Sequence, residues 1–229
     1  MTLRKWILSF IAVSFALLSI SLGFWQLRRL RARQAQNDLL ASRRFAEPVK
    51  LAALPGDTSL AHFRRVRVAG APDYSQEITL TLRVRNGSPG VNIITPLRQP
   101  GNDTAVLVNR GWVYAPDGIT VDTKEWREAD ILDGTGFVET FPTQGPFAPS
   151  NPARPRSFRR LNRPELQKLF PYPIANYYVV LTDSAVSPHA PPRIEAAPLD
   201  EGPHRNYAIQ WFSFAAISII GLVIFLRRS

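Results

Sequence analysis

The chain has no cysteine, and its one methionine is Met1. Disulfides, zinc fingers, iron–sulfur clusters and thiolate or thioether copper sites are therefore excluded. Nucleophile elbows, phosphate-binding glycine loops, zinc-protease helices and dinucleotide fingerprints are also missing, as is any internal repeat. Only three histidines are present: His62, His189 and His204. With 20 prolines in 229 residues, long buried helices are disfavoured outside the chain's two ends, and turns and sheet edges are expected instead.

Those two ends are where charge is lacking. Trp6 to Phe24 is a run of 19 residues and Tyr207 to Leu226 a run of 20 with no charged side chain. At 1.5 Å per residue each is about 28–30 Å long, the thickness of a bilayer's hydrocarbon core. A cleaved signal peptide is the rival reading of the first run, because Ser21 and Gly23 have a peptidase-site spacing and Arg4 and Lys5 precede the run. The run exceeds a signal's usual apolar length, and an arginine-rich helical pattern continues from it, so an uncleaved anchor is expected. The organisation that follows is a tail at 1–5, transmembrane helix 6–24, juxtamembrane helix 25–45, a β-rich domain with terminal linker at 46–203, transmembrane helix 204–226 and a tail at 227–229. The fold class is thus two transmembrane helices flanking a β-rich (α+β) soluble domain built on a small sheet or barrel.

Between the spans lie all 18 acidic residues and all but four of the 28 Lys and Arg, a formal charge of +6. The arginines are scattered, and no helix-turn-helix, finger or aromatic RNA-binding signature accompanies them, so no nucleic-acid partner is expected. Arg28, Arg29, Arg31 and Arg33, just past the first span, suit anionic lipid head groups. Arg227 and Arg228 favour termini on the cytoplasmic side, while charge counting across so long a central segment carries little weight.

Within the domain, residues 77–87 alternate Ile78, Leu80, Leu82 and Val84 against Thr79, Thr81, Arg83 and Arg85, the period of a half-buried strand. Asn86-Gly87-Ser88-Pro89-Gly90 then predicts a turn into a strand at 91–97, and hence a hairpin. Further strands are expected at 63–70, 104–113, 134–140 and 176–183, and a short helix opened by Pro164 near 163–170. Residues 142–157 read as a long extended loop and 187–203 as a proline-rich linker.

His62 and His189 lie in loop-forming stretches and read as solvated. His204 opens "HRNYAIQWFSFA" (204–215), where Gly202 suits a helix cap and Pro203 a first helical position. The helix dipole disfavours imidazolium there, and a neutral imidazole can ligate metal. His204, Ala208 and Trp211 share a helix face with a small residue between two larger ones, a seat for a flat macrocycle. Against this, Tyr207 and Trp211 alone make an aromatic belt, with His204 a polar interface residue. Composition by itself favours the simpler, interfacial reading. Arg110, in "VNRGWV" (108–113), could meet an anionic group or pair with an acid inside the domain.

Four ordered stretches, "GFWQLRRL" (23–30), "FRRVRVAG" (63–70), "VNRGWV" (108–113) and "HRNYAIQWFSFA" (204–215), together with the two spans, resemble a bacterial member of the Surfeit locus protein 1 family, the cytochrome c oxidase assembly factors. The resemblance implies a multi-pass protein of the bacterial inner membrane with cytoplasmic termini and a periplasmic central domain. It also implies a non-enzymatic role in building haem–copper oxidase by binding or presenting haem a. Its partners would be the oxidase catalytic subunit and membrane lipid, with the haem a synthesis machinery a further candidate. On that resemblance His204 is the expected axial ligand to haem iron, in a site lined by Trp25, Gln26, Tyr207, Gln210 and Trp211. The alternative is a membrane scaffold that stabilises an oxidase assembly intermediate without holding haem. A membrane-bound hydrolase or transferase would need an acid, base and nucleophile gathered by the fold.

Overall fold

The computed structural model describes residues 3–55, 57–99, 101–142, 149–151, 153–183, 187–195 and 198–227. The chain divides into two compact units, one of Met1–Ala41 with Pro198–Ser229 and one of Ser42–Ala197. The outermost tail residues, Arg228 among them, and most of the stretch 142–152 lie outside the described residues or have no described side chains.

In the first unit, α1 (Leu3–Arg44) is one uninterrupted helix of 42 residues and α4 (His204–Arg227) one of 24. Both are long and apolar enough to cross a membrane, which points to membrane association. Their packing uses small residues. Ala16, Ser19 and Gly23 are buried on α1, and Ala208 and Ala215 on α4. Gly23 leaves room for the Phe212 ring, where an added Cβ would come within 2.7 Å of it. Phe24 meets the same ring edge-on at 5.4 Å, and Ser218 Oγ donates to the Ala12 carbonyl at 3.0 Å. Small side chains at such a seam let helix backbones approach closely where lipid offers no hydrophobic drive between them.

The second unit is a β-barrel with appendages. All six expected strands form: β2 (Arg65–Pro72), β3 (Ile78–Arg85), β4 (Ser88–Arg98), β5 (Ala105–Tyr114), β6 (Leu132–Thr140) and β9 (Ile174–Leu181). Three short ones join them, β1 (Val49–Lys50), β7 (Pro149–Asn151) and β8 (Arg154–Phe158). Strands β2, β6, β9, β5 and β4 pair in that order, and β4 returns to β2 through Ala71 opposite Arg98 and Pro72 opposite Leu97, which closes a five-stranded barrel. Val66, Val68, Leu97, Val106, Val108, Val138, Val179 and Leu181 pack together as its core. A second cluster, of Ile78, Leu80, Ile94, Leu107, Phe158 and Ile174, is covered by Leu166 of α3 (Arg163–Gln167), whose cap is Asn162.

The structure corrects several expectations. The Asn86-Gly87 turn alone links β3 and β4, with Arg85 opposite Ser88 and φ of 50° and 79° at the two loop residues, so Ser88, Pro89 and Gly90 belong to the strand. The alternation of β3 fails midway: a bulge between Leu80 and Arg83 leaves Leu82 with φ of 56° and turns Val84 outward to 73% exposure. The expected loop 142–157 holds β7 and β8, because Thr79 and Leu80 of β3 offer an edge to Ser157 and Phe158. A helical turn missed in the sequence, α2 (Thr58–Ala61), is capped by the Asp57 carboxylate accepting from Ser59 N at 2.8 Å. His62, which ends that turn, is not a free loop residue. It is half-buried, 2.7 Å from Glu139 Oε1. His189 is exposed, as expected.

Candidate functional site

The entrance to α4 is built residue by residue. Asp200 Oδ1 accepts from Gly202 N at 2.8 Å, and Gly202 takes a φ of 72° that a side chain would resist. The Pro203 carbonyl then accepts from Tyr207 N, so Pro203 is the cap and His204 the first helical residue, one position later than the sequence suggests. Three side chains of α1 fasten this approach: Arg33 Nε donates to the Asp200 carbonyl at 3.0 Å, Asn37 Nδ2 to the same carbonyl at 3.2 Å and Gln34 Nε2 to Glu201 Oε1 at 3.0 Å.

His204 itself meets Gln26, whose Oε1 lies 2.9 Å from Nδ1 across 178 residues of sequence. An amide oxygen only accepts, so Nδ1 carries the hydrogen and, in the neutral ring, Nε2 presents its lone pair. Fixing one ring nitrogen so that the other is aimed at a metal is how histidine ligands are commonly held. Beside the ring is a pocket of about 350 Å³ lined by Arg29, Ala32, Arg33, Gln36, Glu201 and Gly202. Arg29 also lies over the Trp25 ring at 5.4 Å, which ties Trp25 to the pocket wall.

The other expected liners are less gathered. Tyr207 is 45% exposed, Gln210 is exposed, and Trp211 is half-buried with Phe214 edge-on at 5.8 Å. No hydrogen bond joins any of these three side chains to His204 or Gln26 among the described residues. Ala208 is buried at 2% exposure, so the gap between His204 and Trp211 is filled by helix packing and is not an open macrocycle seat. The open side of His204 is the one facing Arg29 and Arg33. As a haem site, the residues fit in their chemistry: one imidazole with a free nitrogen and two guanidiniums suited to carboxylates. Gln34 and Asn37 were not singled out in the sequence, and Arg33 read only as a partner for lipid head groups. Gln26 and Asn37 are eleven residues apart on one helical face and are uncharged in an arginine-rich stretch, a readable sign that this face is covered.

Arg110 is the molecule's other concentration of charge. The β4–β5 register steps from Ile94 opposite Asn109 to Ile93 opposite Gly111, leaving Arg110 as the extra residue of a bulge, which redirects its side chain. That side chain is wholly buried. Nε donates to Thr95 Oγ1 at 2.7 Å, Nη2 to Glu77 Oε1 at 2.7 Å, and Nη1 to Glu128 Oε1 at 2.9 Å and to the Trp126 carbonyl at 2.5 Å. Arg193, from the stretch read as linker, pairs with Glu128 at 2.6 Å and donates to the Arg110 carbonyl at 2.6 Å. Burial pulls the Arg193 guanidinium toward deprotonation, but the Glu128 bonds and the Glu128 and Asp183 charges outweigh it and hold its pKa above the usual value. The stretch around it is a strap laid on β5: Trp112 N donates to the Pro192 carbonyl at 2.9 Å, at a point where Gly111 has φ of 151° and an added Cβ would lie 2.5 Å from that oxygen. Among the described residues no three metal-ligating side chains cluster.

The comparisons with known proteins agree along the chain. The SURF1 family model matches residues 13–216, from the first apolar helix into the second. A SURF1-like protein of Monosiga brevicollis is 26% identical over 94% of this chain and 86% of its own length. A SURF1-like protein of Rickettsia conorii is 25% identical over 94% and 89%. Surfeit locus protein 1 of Takifugu rubripes is 28% identical, but the match spans 64% of this chain and 66% of that protein. A match over both apolar helices and the barrel places this chain in the SURF1 family.

Proposed function

We propose that the chain is a membrane-bound, non-enzymatic assembly factor for haem–copper cytochrome c oxidase, and that it holds haem a at the entrance to α4 for the oxidase catalytic subunit. The observation that carries the haem reading is the contact of Gln26 Oε1 with His204 Nδ1, which leaves Nε2 as the ligating atom. When bound, haem a would supply the redox-active macrocycle that the oxidase needs, and the protein's own residues would only bind and orient it. His204 would hold the iron, with Gln26 orienting its ring, and Arg29 and Arg33 would bind the carboxylates of the group, with Trp25 supporting Arg29. Tyr207, Gln210 and Trp211 stand on the neighbouring helix surface at the membrane boundary. Both termini are cytoplasmic and the barrel periplasmic, a topology supported by Arg227 and Arg228 beyond the second span. A reporter active only in the periplasm should work when inserted within 142–157 and fail when fused after Ser229.

The test of the haem reading is the absorbance spectrum of the full-length protein purified from cells that make haem a. A Soret band with about one haem per chain is expected. If the protein carries none while haem a is abundant, it acts as a scaffold for an assembly intermediate instead.

A further inference from the structure

Past the first apolar run, α1 has four arginines within six residues, and the structure divides them. Arg29 lies over the Trp25 ring and Arg33 donates its Nε to the Asp200 carbonyl, and both line the pocket beside His204. Arg28 and Arg31 make no hydrogen bond or ion pair among the described residues, and both are exposed. They close the lower end of a groove of about 400 Å³ whose upper wall is Ser21, Phe24 and Leu27. These positions fall within about 120° of one another around a helix of 3.6 residues per turn, so they form one face. No acidic residue lies in this stretch of α1.

We propose that this face is a binding site for a phospholipid with an anionic headgroup; the proposal rests on reading α1 as a membrane span, and not on the haem reading. Depth selects the occupant. Arg28 lies about 6 Å and Arg31 about 10 Å along the axis beyond Phe24. The polar headgroup layer of a bilayer is about 5–8 Å deep on each side. An acyl chain therefore lies along Phe24 and Leu27, and its phosphate is shared by Arg28 and Arg31, which are three residues apart on the same face. A zwitterionic headgroup would bring an ammonium beside the two arginines, an unfavourable pairing. An acidic protein segment would satisfy the arginines but leaves the apolar upper wall unexplained.

The test uses the full-length protein reconstituted into vesicles of equal parts phosphatidylcholine and phosphatidylglycerol, extracted in mild detergent, with retained lipids counted by native mass spectrometry. Phosphatidylglycerol should be retained about thirtyfold over phosphatidylcholine, as expected for two cations at an anionic surface. The R28Q/R31Q variant should fall to near parity, and the charge-matched R85Q/R159Q variant, changed in the barrel unit, should behave as wild type. Equal retention of the two lipids by wild type, or an undiminished preference in R28Q/R31Q, overturns the proposal. Alkaline extraction of the same vesicles reports separately on the span: if the protein washes out, the membrane reading of α1 fails first and takes the site with it.

Discussion

Arg110 and His204 both sit in short motifs rich in polar and aromatic residues, yet the molecule treats them in opposite ways. Arg110 is wholly buried, and each of its three guanidinium nitrogens has an acceptor within the barrel unit. His204 is half-buried, with one ring nitrogen held by Gln26 and the other facing a pocket. A wholly buried cation with four of its five N–H groups bonded inside the barrel unit is out of a ligand's reach, so the arginine's work is internal: it joins the residue before β3, β4, β5 and the 126–128 segment, while Arg193 and the arginine's own carbonyl bring in the strap. A half-satisfied imidazole is the group equipped to accept something from outside. Of the two roles open to Arg110, a meeting with an outside anionic group is therefore set aside and the pairing with acids inside the domain holds.

The comparison can be broken most forcefully at Arg110. Arg110→Ala would leave Glu77 buried without its cation and Glu128 with Arg193 alone, and should lower barrel stability by about 3–5 kcal/mol in denaturant unfolding. Arg110→Lys should recover little of this, since one ammonium cannot serve four acceptors in fork geometry. Gly111→Ala meets both a positive φ and the Pro192 carbonyl, and should destabilise by about 1–3 kcal/mol while exposing the strap at 187–195 to protease. If that variant leaves the strap protected, its anchoring on β5 at Gly111 and Trp112 is wrong. Gly87→Ala, in the tight β3–β4 turn, should lose about 1 kcal/mol with no effect on the strap.

A smaller effect is a pH dependence on the acid side. Burial raises the Asp73 carboxyl, but bonds from Ser75 and from Tyr172 Oη, 2.8 Å away, outweigh it and hold the pKa below the usual value. A depressed folded pKa means that this stabilisation is present above about pH 4 and lost as the pH falls through the lower folded value. The exposed Asp117, held at about 2 by Thr120 and the Ile119 amide, follows the same sign. Thermal midpoints of wild type should decline from pH 4 to pH 2. Asp73→Asn should flatten that decline, and an unchanged slope would show that the Tyr172 contact contributes nothing.

How far the sequence carried is seen in particular residues. The valines of β2 alternate with Arg65 and Arg67, so periodicity revealed both the strand and its buried face. In β3 the same rule found the strand and misplaced Val84, because a bulge is set by pairing with β4 and leaves no mark on period. Two- and three-residue strands such as β1 and β7 are too short for alternation to register. The Arg110 network draws on residues 77, 95, 126, 128 and 193, which no local pattern links. His204 was legible because a polar group beside an apolar run is conspicuous, and Gln26 through the family resemblance alone, while their contact was not. Ala208 illustrates the limit of face arithmetic: spacing put it beside His204, and only packing revealed that the face is covered.

The proposed division of labour rests the fold on Arg110 and ligation on His204. It is tested most directly by purifying wild type and His204→Ala side by side from cells making haem a, and measuring haem per chain together with the barrel's thermal midpoint. His204→Ala should lose the wild-type Soret band and most of its haem, with the barrel midpoint unchanged. Retention of the wild-type spectrum and stoichiometry in His204→Ala would contradict the assignment and leave His204 an interfacial residue.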